Sequence, residues 1–292
     1  MNRRHFNHQL MAALTAALPL ASFAQQKTVA QPQAARWKAI EQSAQGRLGV
    51  AVLDTADGRI DGHRLDERFP MCSTFKWLAA AHVLQRVDAQ QEQLDRRIRF
   101  GREVLVPNSP VTSKAAGGEG LTLAELCEAT ITVSDNAAGN LILKSYGGPA
   151  ALTRYARTLG DTKTRLDRWE PELNEARPGD PRDTTTPRAM TAALRATLVG
   201  DALSAASREQ LRRWMEATRT DVKRLRADLP DGWHLASKTG TGARGSTNNV
   251  GVFWPPGRPP IVVAVYLTEA HADEAARNAA VAQVAHVVTS GG

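Results

Sequence analysis

The strongest constraint on the fold is that strand-like segments lie near both ends of the chain, with a long helical region between them. In the sequence, a helix is predicted at 34–45, before the first strand-like segment, and another at 270–288, after the last one. A sheet built from both ends leaves the middle of the chain as a separate lobe. We therefore expect an α/β domain plus an all-α domain, in which an antiparallel five-stranded sheet is flanked by terminal helices. The predicted strands are 48–54, 60–65, 234–241, 249–254 and 261–268.

The middle of the chain has the spacing of apolar residues that is typical of helices. We predict a discontinuous α/β domain at 25–66 and 219–292, and an all-helical domain at 67–218. Segment 164–186 interrupts the helical pattern, and a loop of this length is usually functional. A cleft between two such domains is a natural binding site. The predicted helices are 77–87, 123–130, 137–145, 150–158, 187–199 and 207–218.

The first residues have the pattern of an export signal. Arg3 and Arg4 precede an apolar stretch at 10–20, and small residues at 22–24 are typical of a cleavage site. We predict a signal peptide at 1–24, read by the Sec or the twin-arginine route, and a periplasmic or secreted protein. No apolar run approaches the roughly 20 residues that span a bilayer, so we expect no membrane association after cleavage.

Composition excludes several classes of partner. The 292 residues are 42% hydrophobic with a net charge of +7, which is typical of a soluble globular protein. The basic clusters at 96–99 and 223–226 lack interleaved aromatic residues, so we expect no nucleic-acid binding. The histidines show no metal-ligand spacing, which argues against a zinc site. Cys72 and Cys127 are interpreted as two buried free thiols.

One short motif places a hydroxyl and an amine on the same helix face. Ser73 and Lys76 are three residues apart in the run Ser-Thr-Phe-Lys. A serine becomes nucleophilic when a nearby base takes its proton, and a desolvated lysine is one such base. The motif is weak alone, because a helix cap followed by a solvated lysine has the same pattern.

Two further motifs change this interpretation. Ser134-Asp135-Asn136 alone is consistent with a turn or a helix cap, and Lys238-Thr239-Gly240 with an exposed strand end. Together and in this order with the serine–lysine motif, they make the chain resemble a class A serine β-lactamase over about residues 33–288. The resemblance implies the fold shared by serine β-lactamases and DD-peptidases.

A fourth element lies in the long loop. The run from Arg168 to Asn174 resembles the omega loop of class A enzymes, here 165–183. In that family Glu170 and Asn174 would hold a water for hydrolysis of an acyl-enzyme. The resemblance further implies a cis bond between Glu170 and Pro171. Arg168 and Asp183 are expected to bridge the two ends of the loop.

The resemblance implies hydrolysis of the β-lactam ring of penicillin- and cephalosporin-type antibiotics, with no metal or organic cofactor. Ser73 would be acylated after Lys76, or Glu170 through water, removes its proton. Ser134 would pass a proton to the leaving nitrogen beside Lys238, and backbone N–H groups of Ser73 and Thr241 would form an oxyanion hole. The expected substrate-binding residues are Asn136, Asn174, Thr239, Gly240, Thr241 and Arg224.

The sequence departs from the family pattern at four positions. Many class A enzymes have a carboxylate-binding arginine at the position of Thr247, and Arg224 stands where some relatives supply that charge instead. The family usually has an aromatic residue at the position that gates the active site, where this chain has Asn108. Gly242 excludes a disulfide with Cys72, and the usual partner position of Cys127 is Ala80.

Two other functions share part of this pattern. A penicillin-binding DD-peptidase would have the same serine and lysine but would not need Glu170 and its loop. A β-lactam sensor domain would become acylated and stay so, although such sensors are normally tethered to a membrane. We expect a monomer with small-molecule β-lactam substrates.

Overall fold

The structure, a computed structural model, describes residues 33–290. The signal peptide predicted at 1–24 lies outside the described residues. Within 33–290, none of the helices combines the length and the apolar character needed to cross a membrane. The α-helices of this part of the chain are α1 Gln33–Ala44, α2 Phe75–Asp88, α3 Thr112–Ala115, α4 Leu123–Thr132, α5 Asn136–Ser145, α6 Pro149–Thr158, α7 Pro187–Leu198, α8 Ala205–Glu216 and α9 Glu274–Ser290.

The predicted five-stranded antiparallel sheet is confirmed, with the strand order β2-β1-β9-β8-β7. Short two-residue pairs, β3 with β6 and β4 with β5, lie outside it. The strands are β1 Arg47–Asp54, β2 Ile60–His63, β3 Phe69–Pro70, β4 Arg97–Ile98, β5 Leu121–Thr122, β6 Thr184–Thr185, β7 His234–Thr241, β8 Thr247–Trp254 and β9 Ile261–Thr268.

Most element boundaries differ from the sequence prediction by one to four residues, for identifiable local reasons. Strand β2 ends at His63 because Arg64 has φ of 47°, outside the extended region. Helix α8 begins before the predicted start because the Ser204 side chain accepts a hydrogen bond from the Ser207 N–H and caps the helix. Helix α9 starts four residues later than predicted, at Glu274.

The central strand β9 is buried on both faces of the sheet. Its side chains alternate between two apolar clusters, as strand geometry requires. Val263 and Val265 pack with Trp37 of α1 and Val284 of α9, whereas the Tyr266 side chain joins the cluster of the helical region. The terminal helices therefore cover one face, and the helices of the middle segment pack against the other.

Three pieces of backbone converge at one end of this arrangement. The 3₁₀ turn Cys72–Thr74 leads into α2. The turn before α5 carries Ser134, which has φ of 58°. The segment 164–186, predicted to be without regular structure, contains a 3₁₀ turn at Glu172–Asn174 and the strand β6.

The end of β7 passes directly beside the turn that leads into α2. A Cβ atom on Gly240 would lie 2.8 Å from the carbonyl oxygen of Met71 and 3.2 Å from the backbone nitrogen of Thr74. Only glycine permits so close an approach of two backbones. The glycine therefore brings the end of the strand next to Ser73.

Asp135 holds the turn between α4 and α5, and its side chain is fully buried. The carboxylate accepts hydrogen bonds from the N–H groups of Val111, Thr112 and Ala138 and from the Thr112 hydroxyl. It thereby caps α5 and fixes the residues on either side of it, Ser134 and Asn136.

Replacing Asp135 by Asn should lower the free energy of unfolding by about 2–4 kcal/mol, because the new NH2 group faces donors and leaves them unpaired. Urea denaturation measures this change. The matched control is Asp201→Asn, an exposed aspartate with no side-chain hydrogen bond or ion pair among residues 33–290. Equal stability of the two variants would contradict the role given to Asp135.

Candidate active site

Ser73 lies at the floor of a cleft, with 8% of its surface exposed. Its position in the turn before α2 points the hydroxyl toward the long loop, where Oγ donates a hydrogen bond to Glu170 Oε1 at 3.2 Å. The preceding Cys72 has φ of 47°, a left-handed conformation that non-glycine residues rarely adopt. The backbone is therefore bent sharply at the residue before the candidate nucleophile.

Lys76 is fully buried, one turn along α2 from Ser73. Its Nζ lies 3.0 Å from Glu170 Oε1 and donates to Asn136 Oδ1 at 2.5 Å. It also donates to the carbonyl oxygen and the hydroxyl of Ser134, at 2.9 and 3.2 Å. Burial lowers the pKa of the Lys76 ammonium, and the adjacent Glu170 carboxylate opposes that shift. The amine is thus well placed to exchange protons with its neighbours.

Ser134 joins the two lysines. Its hydroxyl accepts hydrogen bonds from Lys76 Nζ and from Lys238 Nζ, the latter at 3.1 Å. Lys238 is fully buried on β7, and burial together with the positive charge of Lys76 holds its pKa well below the usual range. A hydroxyl between two amines is suited to relay a proton.

Glu170 is held from several sides, and it is 2% exposed. Asn174 Nδ2 donates to Glu170 Oε2 at 2.5 Å, and the bond from Glu170 to Pro171 is cis. At the ends of the loop, Arg168 Nε lies 2.5 Å from Asp183 Oδ2. The predicted bridge between the loop ends and the cis bond are both confirmed.

Sequence reasoning missed Asn140, which fixes the backbone of Glu170. Its Nδ2 donates to the Glu170 carbonyl oxygen at 2.9 Å, and its Oδ1 accepts from the Glu170 N–H at 3.0 Å. Asn140 lies four residues after Asn136 on α5, so the two side chains share one face of the helix. The four-residue spacing from Asn136 is the sequence feature that could have identified Asn140 as a site residue.

The cleft is a cavity of about 510 Å³. Of the residues predicted to contact substrate, all six line it: Asn136, Asn174, Thr239, Gly240, Thr241 and Arg224. Thr220, which sequence reasoning missed, also lines the cavity, and its hydroxyl lies 2.5 Å from that of Thr239. Asn108 at the rim donates from Nδ2 to the Ser134 carbonyl oxygen at 3.0 Å.

Arg224 lies beside β7 and is 7% exposed. Its guanidinium donates to Asn278 Oδ1, to the carbonyl oxygens of Gly240 and Asn248, and to Thr241 Oγ1 at distances of 2.8–3.0 Å. Burial lowers the pKa of Arg224 to about 10, so the group remains cationic at neutral pH. A guanidinium has five donors, so one N–H remains beyond these four contacts. The same side chain therefore orients Thr241 and keeps a positive charge at this end of the cavity.

The two thiols are free and buried, as predicted. Burial raises the pKa of the Cys72 thiol to about 12 and also raises that of Cys127. A Cβ atom on Gly242 would lie 2.6 Å from Cys72 Sγ, so the position that lacks a partner cysteine is directly beside it.

The arrangement is suited to acyl transfer. It combines a serine hydroxyl, a buried carboxylate beside it, and two amines joined through a second hydroxyl. Arg224 and the hydroxyls of Thr239 and Thr241 form a subsite for an anionic group. Within residues 33–290, no three His, Cys, Asp or Glu side chains are grouped so that they could hold a metal ion.

Comparison with known proteins gives concordant results. The model of the beta-lactamase enzyme family matches residues 32–290. A β-lactamase of Streptomyces fradiae is 48% identical over 256 residues, which are 87% of this chain and 84% of the relative. The carbapenem-hydrolysing β-lactamase KPC of Klebsiella oxytoca is 45% identical over 277 residues, 94% of this chain and 93% of the relative. The structure of an ancestral class A β-lactamase (GNCA) superimposes with a TM-score of 0.88 and 60% identity, covering 89% of this chain and 100% of the other.

The buried thiols should be unreactive toward a disulfide reagent such as dithionitrobenzoate in the folded protein, because they are inaccessible and protonated. In denaturant without reductant, both cysteines of the chain should react. The absorbance of the released thiolate counts them. A denatured chain with no reactive thiol would contain a disulfide and contradict the structure.

Proposed function

We propose how this chain, which belongs to the class A β-lactamases, hydrolyses the β-lactam ring of penicillin- and cephalosporin-type antibiotics and so confers resistance to them. Ser73 forms the acyl-enzyme, and Glu170 activates the water that releases it. The observation that carries the assignment of roles is the position of Glu170. One of its oxygens lies 3.2 Å from Ser73 Oγ and 3.0 Å from Lys76 Nζ, and the charged side chains of Lys76 and Glu170 are both fully buried.

Acylation begins when Ser73 Oγ attacks the lactam carbonyl carbon and loses its proton. Glu170 is the proton acceptor favoured by the geometry, because the hydroxyl already donates to it. The C–N bond then breaks, and the nitrogen takes a proton from the Ser134 hydroxyl. Lys76 resupplies Ser134 across 3.2 Å and recovers a proton from Glu170 across 3.0 Å. The net result is transfer of the Ser73 proton to the leaving nitrogen.

Deacylation needs a water beside the ester carbonyl. Glu170 Oε2 and the Asn174 side chain face each other at the edge of the cleft, and Asn174 Oδ1 is buried without a hydrogen-bond partner among the described residues. A water bound there would satisfy this acceptor and lie beside the carboxylate. Glu170, having returned its proton to Lys76, removes a proton from this water, which attacks the ester, and Ser73 departs with the proton.

Substrate binding uses the wall formed by β7. The carboxylate of the antibiotic binds to Thr239, Thr241, Lys238 and the free N–H of Arg224. The amide of the antibiotic's side chain binds to Asn136. The backbone N–H groups of Ser73 and Thr241 form the oxyanion hole, which is supported by the close approach of β7 to the 72–74 turn. Gly240 contributes through that approach and not through a side chain.

We propose the following domain organisation and location for the protein. The cleft lies between the α/β domain of 25–66 and 219–292 and the helical domain of 67–218, which carries the omega loop 165–183. Segment 1–24 directs export to the periplasm or the medium. The proposed active unit is a monomer, for which the residues of one chain suffice to line the cleft.

The Glu170→Ala variant should accumulate a covalent adduct with a cephalosporin, because Lys76 can replace Glu170 as base for Ser73 but no aspartate or glutamate is among the residues that line the cleft. We expect turnover to fall by about three orders of magnitude. Intact-protein mass spectrometry detects the adduct, with Ser73→Ala as the matched control that should form none. Unchanged turnover would refute the role of Glu170. A parent protein that itself stays acylated would instead indicate a sensor, and one that does not acylate a peptidase of another specificity.

The Arg224→Ala variant should raise KM about tenfold for a cephalosporin with a free carboxylate, because a charge-assisted contact is lost. The carboxylate methyl ester of the same compound should be affected much less, and this ratio does not depend on the fraction of folded enzyme. Lys223→Ala is the matched control, since Lys223 is the exposed neighbour in the same basic cluster. An effect confined to the ester would contradict the assignment.

A further inference from the structure

A second cavity lies in the helical region and shares no lining residue with the catalytic cleft. Its volume is about 490 Å³, and it opens between α2 and α6 beneath the turn that follows α5. We call it the α2–α6 cavity, defined by His82 and Arg86 of α2, Tyr146 after α5, and Arg154 and Tyr155 of α6. Helix α2 is the helix that carries Lys76 at its other end.

Several buried polar atoms of this cavity lack partners among the described residues. These atoms are His82 Nδ1, Arg86 Nε, the Tyr146 hydroxyl and the Tyr155 hydroxyl. Tyr155 is only 3% exposed, so its hydroxyl has little access to bulk water. An unpartnered buried polar group is destabilising, and several of them around one cavity indicate that something in the cavity accepts or donates hydrogen bonds.

The walls of the cavity are aromatic. The His82 ring stacks on Tyr155 with a centroid distance of 4.5 Å and an interplanar angle of 23°. The Tyr146 ring meets the same imidazole edge-on, at 4.5 Å and 72°. Burial and the charges of Arg86 and Arg154 lower the pKa of His82 to about 4, so the ring is neutral at pH 7. Burial raises the pKa of both phenols, which therefore remain hydrogen-bond donors.

The charge of the cavity is positive. Arg86 and Arg154 line it, and no aspartate or glutamate does. Among residues 33–290, neither arginine has a carboxylate within 4.0 Å, whereas most surface arginines of the omega loop are paired with one. The Arg154 guanidinium therefore remains available to an anion that enters the cavity, whereas Arg86 also donates to the side chain and the carbonyl oxygen of Gln91.

From these contacts we infer that the α2–α6 cavity is a second binding site, for a small aromatic carboxylate. The aromatic ring of the ligand packs against His82 and Tyr155, and its carboxylate accepts hydrogen bonds from the tyrosine hydroxyls and from Arg154. A neutral ring compound fills the same space without satisfying these donors. The site is independent of the catalytic cleft and of the roles proposed there.

The three tyrosines of the chain provide a direct measurement. Two of them line the cavity, and the third, Tyr266, is fully buried beside Thr74 near the catalytic turn. With ring-labelled tyrosine, each residue gives separate NMR signals, which Tyr146→Phe and Tyr155→Phe assign. Titration with phenylacetate should shift the signals of Tyr146 and Tyr155 with saturation at low millimolar concentration, while Tyr266 stays unchanged. A shift of Tyr266 alone would indicate binding in the catalytic cleft and overturn the proposal.

The arginine is tested with the same titration. Arg154→Ala should weaken phenylacetate binding about tenfold, whereas the exposed Arg195→Ala of α7 should leave it unchanged. Phenylacetamide, the neutral analogue of the probe, should bind at least about tenfold more weakly. Equal affinity for the amide, or no saturating shift up to about 20 mM phenylacetate, would overturn the proposal and leave water as the partner of the buried donors.

Discussion

The ion pair between Lys76 and Glu170 is the interaction on which the catalytic centre depends. Both side chains are fully buried, and removing two charges from water is expensive unless other groups stabilise them. Here the surrounding polar groups do so: Asn136 and Ser134 accept from the ammonium, and Ser73 and Asn174 donate to the carboxylate. Each of these partners also has a role in the proposed reaction. The cluster that makes the buried pair tolerable is thus the same set of groups that moves protons.

The carboxylate half of this pair comes from a loop, which by itself would not hold a charge in a fixed place. Two sets of contacts make the loop rigid. The Arg168–Asp183 ion pair joins the ends of the loop, and Asn140 bonds both backbone groups of Glu170 from the framework helix α5. Glu170 is therefore positioned through its main chain as well as through its side chain. An enzyme that must release its acyl group needs this precision, because the attacking water has to be held at a defined angle to the ester.

Part of the fold and of the site could be predicted from the spacing of residues in the sequence. The bounds of strands β7 and β9 and the placement of Ser73 and Lys76 on one helix face could be predicted, because helix and strand periods determine which side chains share a face. The three further motifs are weak alone, and they were identified through the family resemblance. Asn140 and Thr220 could not be identified as site residues, because each gains its role only from a partner distant in sequence. These partners are the Glu170 backbone and the Thr239 hydroxyl. Arg224 was identified, but its bonds to Asn248 and Asn278 were not foreseeable. Helix and strand ends shifted with single residues, such as the Ser204 cap and the left-handed Arg64.

The positioning of the Glu170 backbone by Asn140 of α5 controls release of the acyl group more than its formation. The direct test is rapid-quench kinetics of Asn140→Ala with a chromogenic cephalosporin, following acylation and deacylation separately, with Asn140→Asp retaining one of the two backbone bonds. We expect deacylation of the alanine variant to slow at least about tenfold more than acylation, and an acyl-enzyme to accumulate in the steady state. The deacylation rate of the aspartate variant should lie between those of the parent and the alanine variant. Equal slowing of both steps, or a loss of activity explained by unfolding alone, would contradict it.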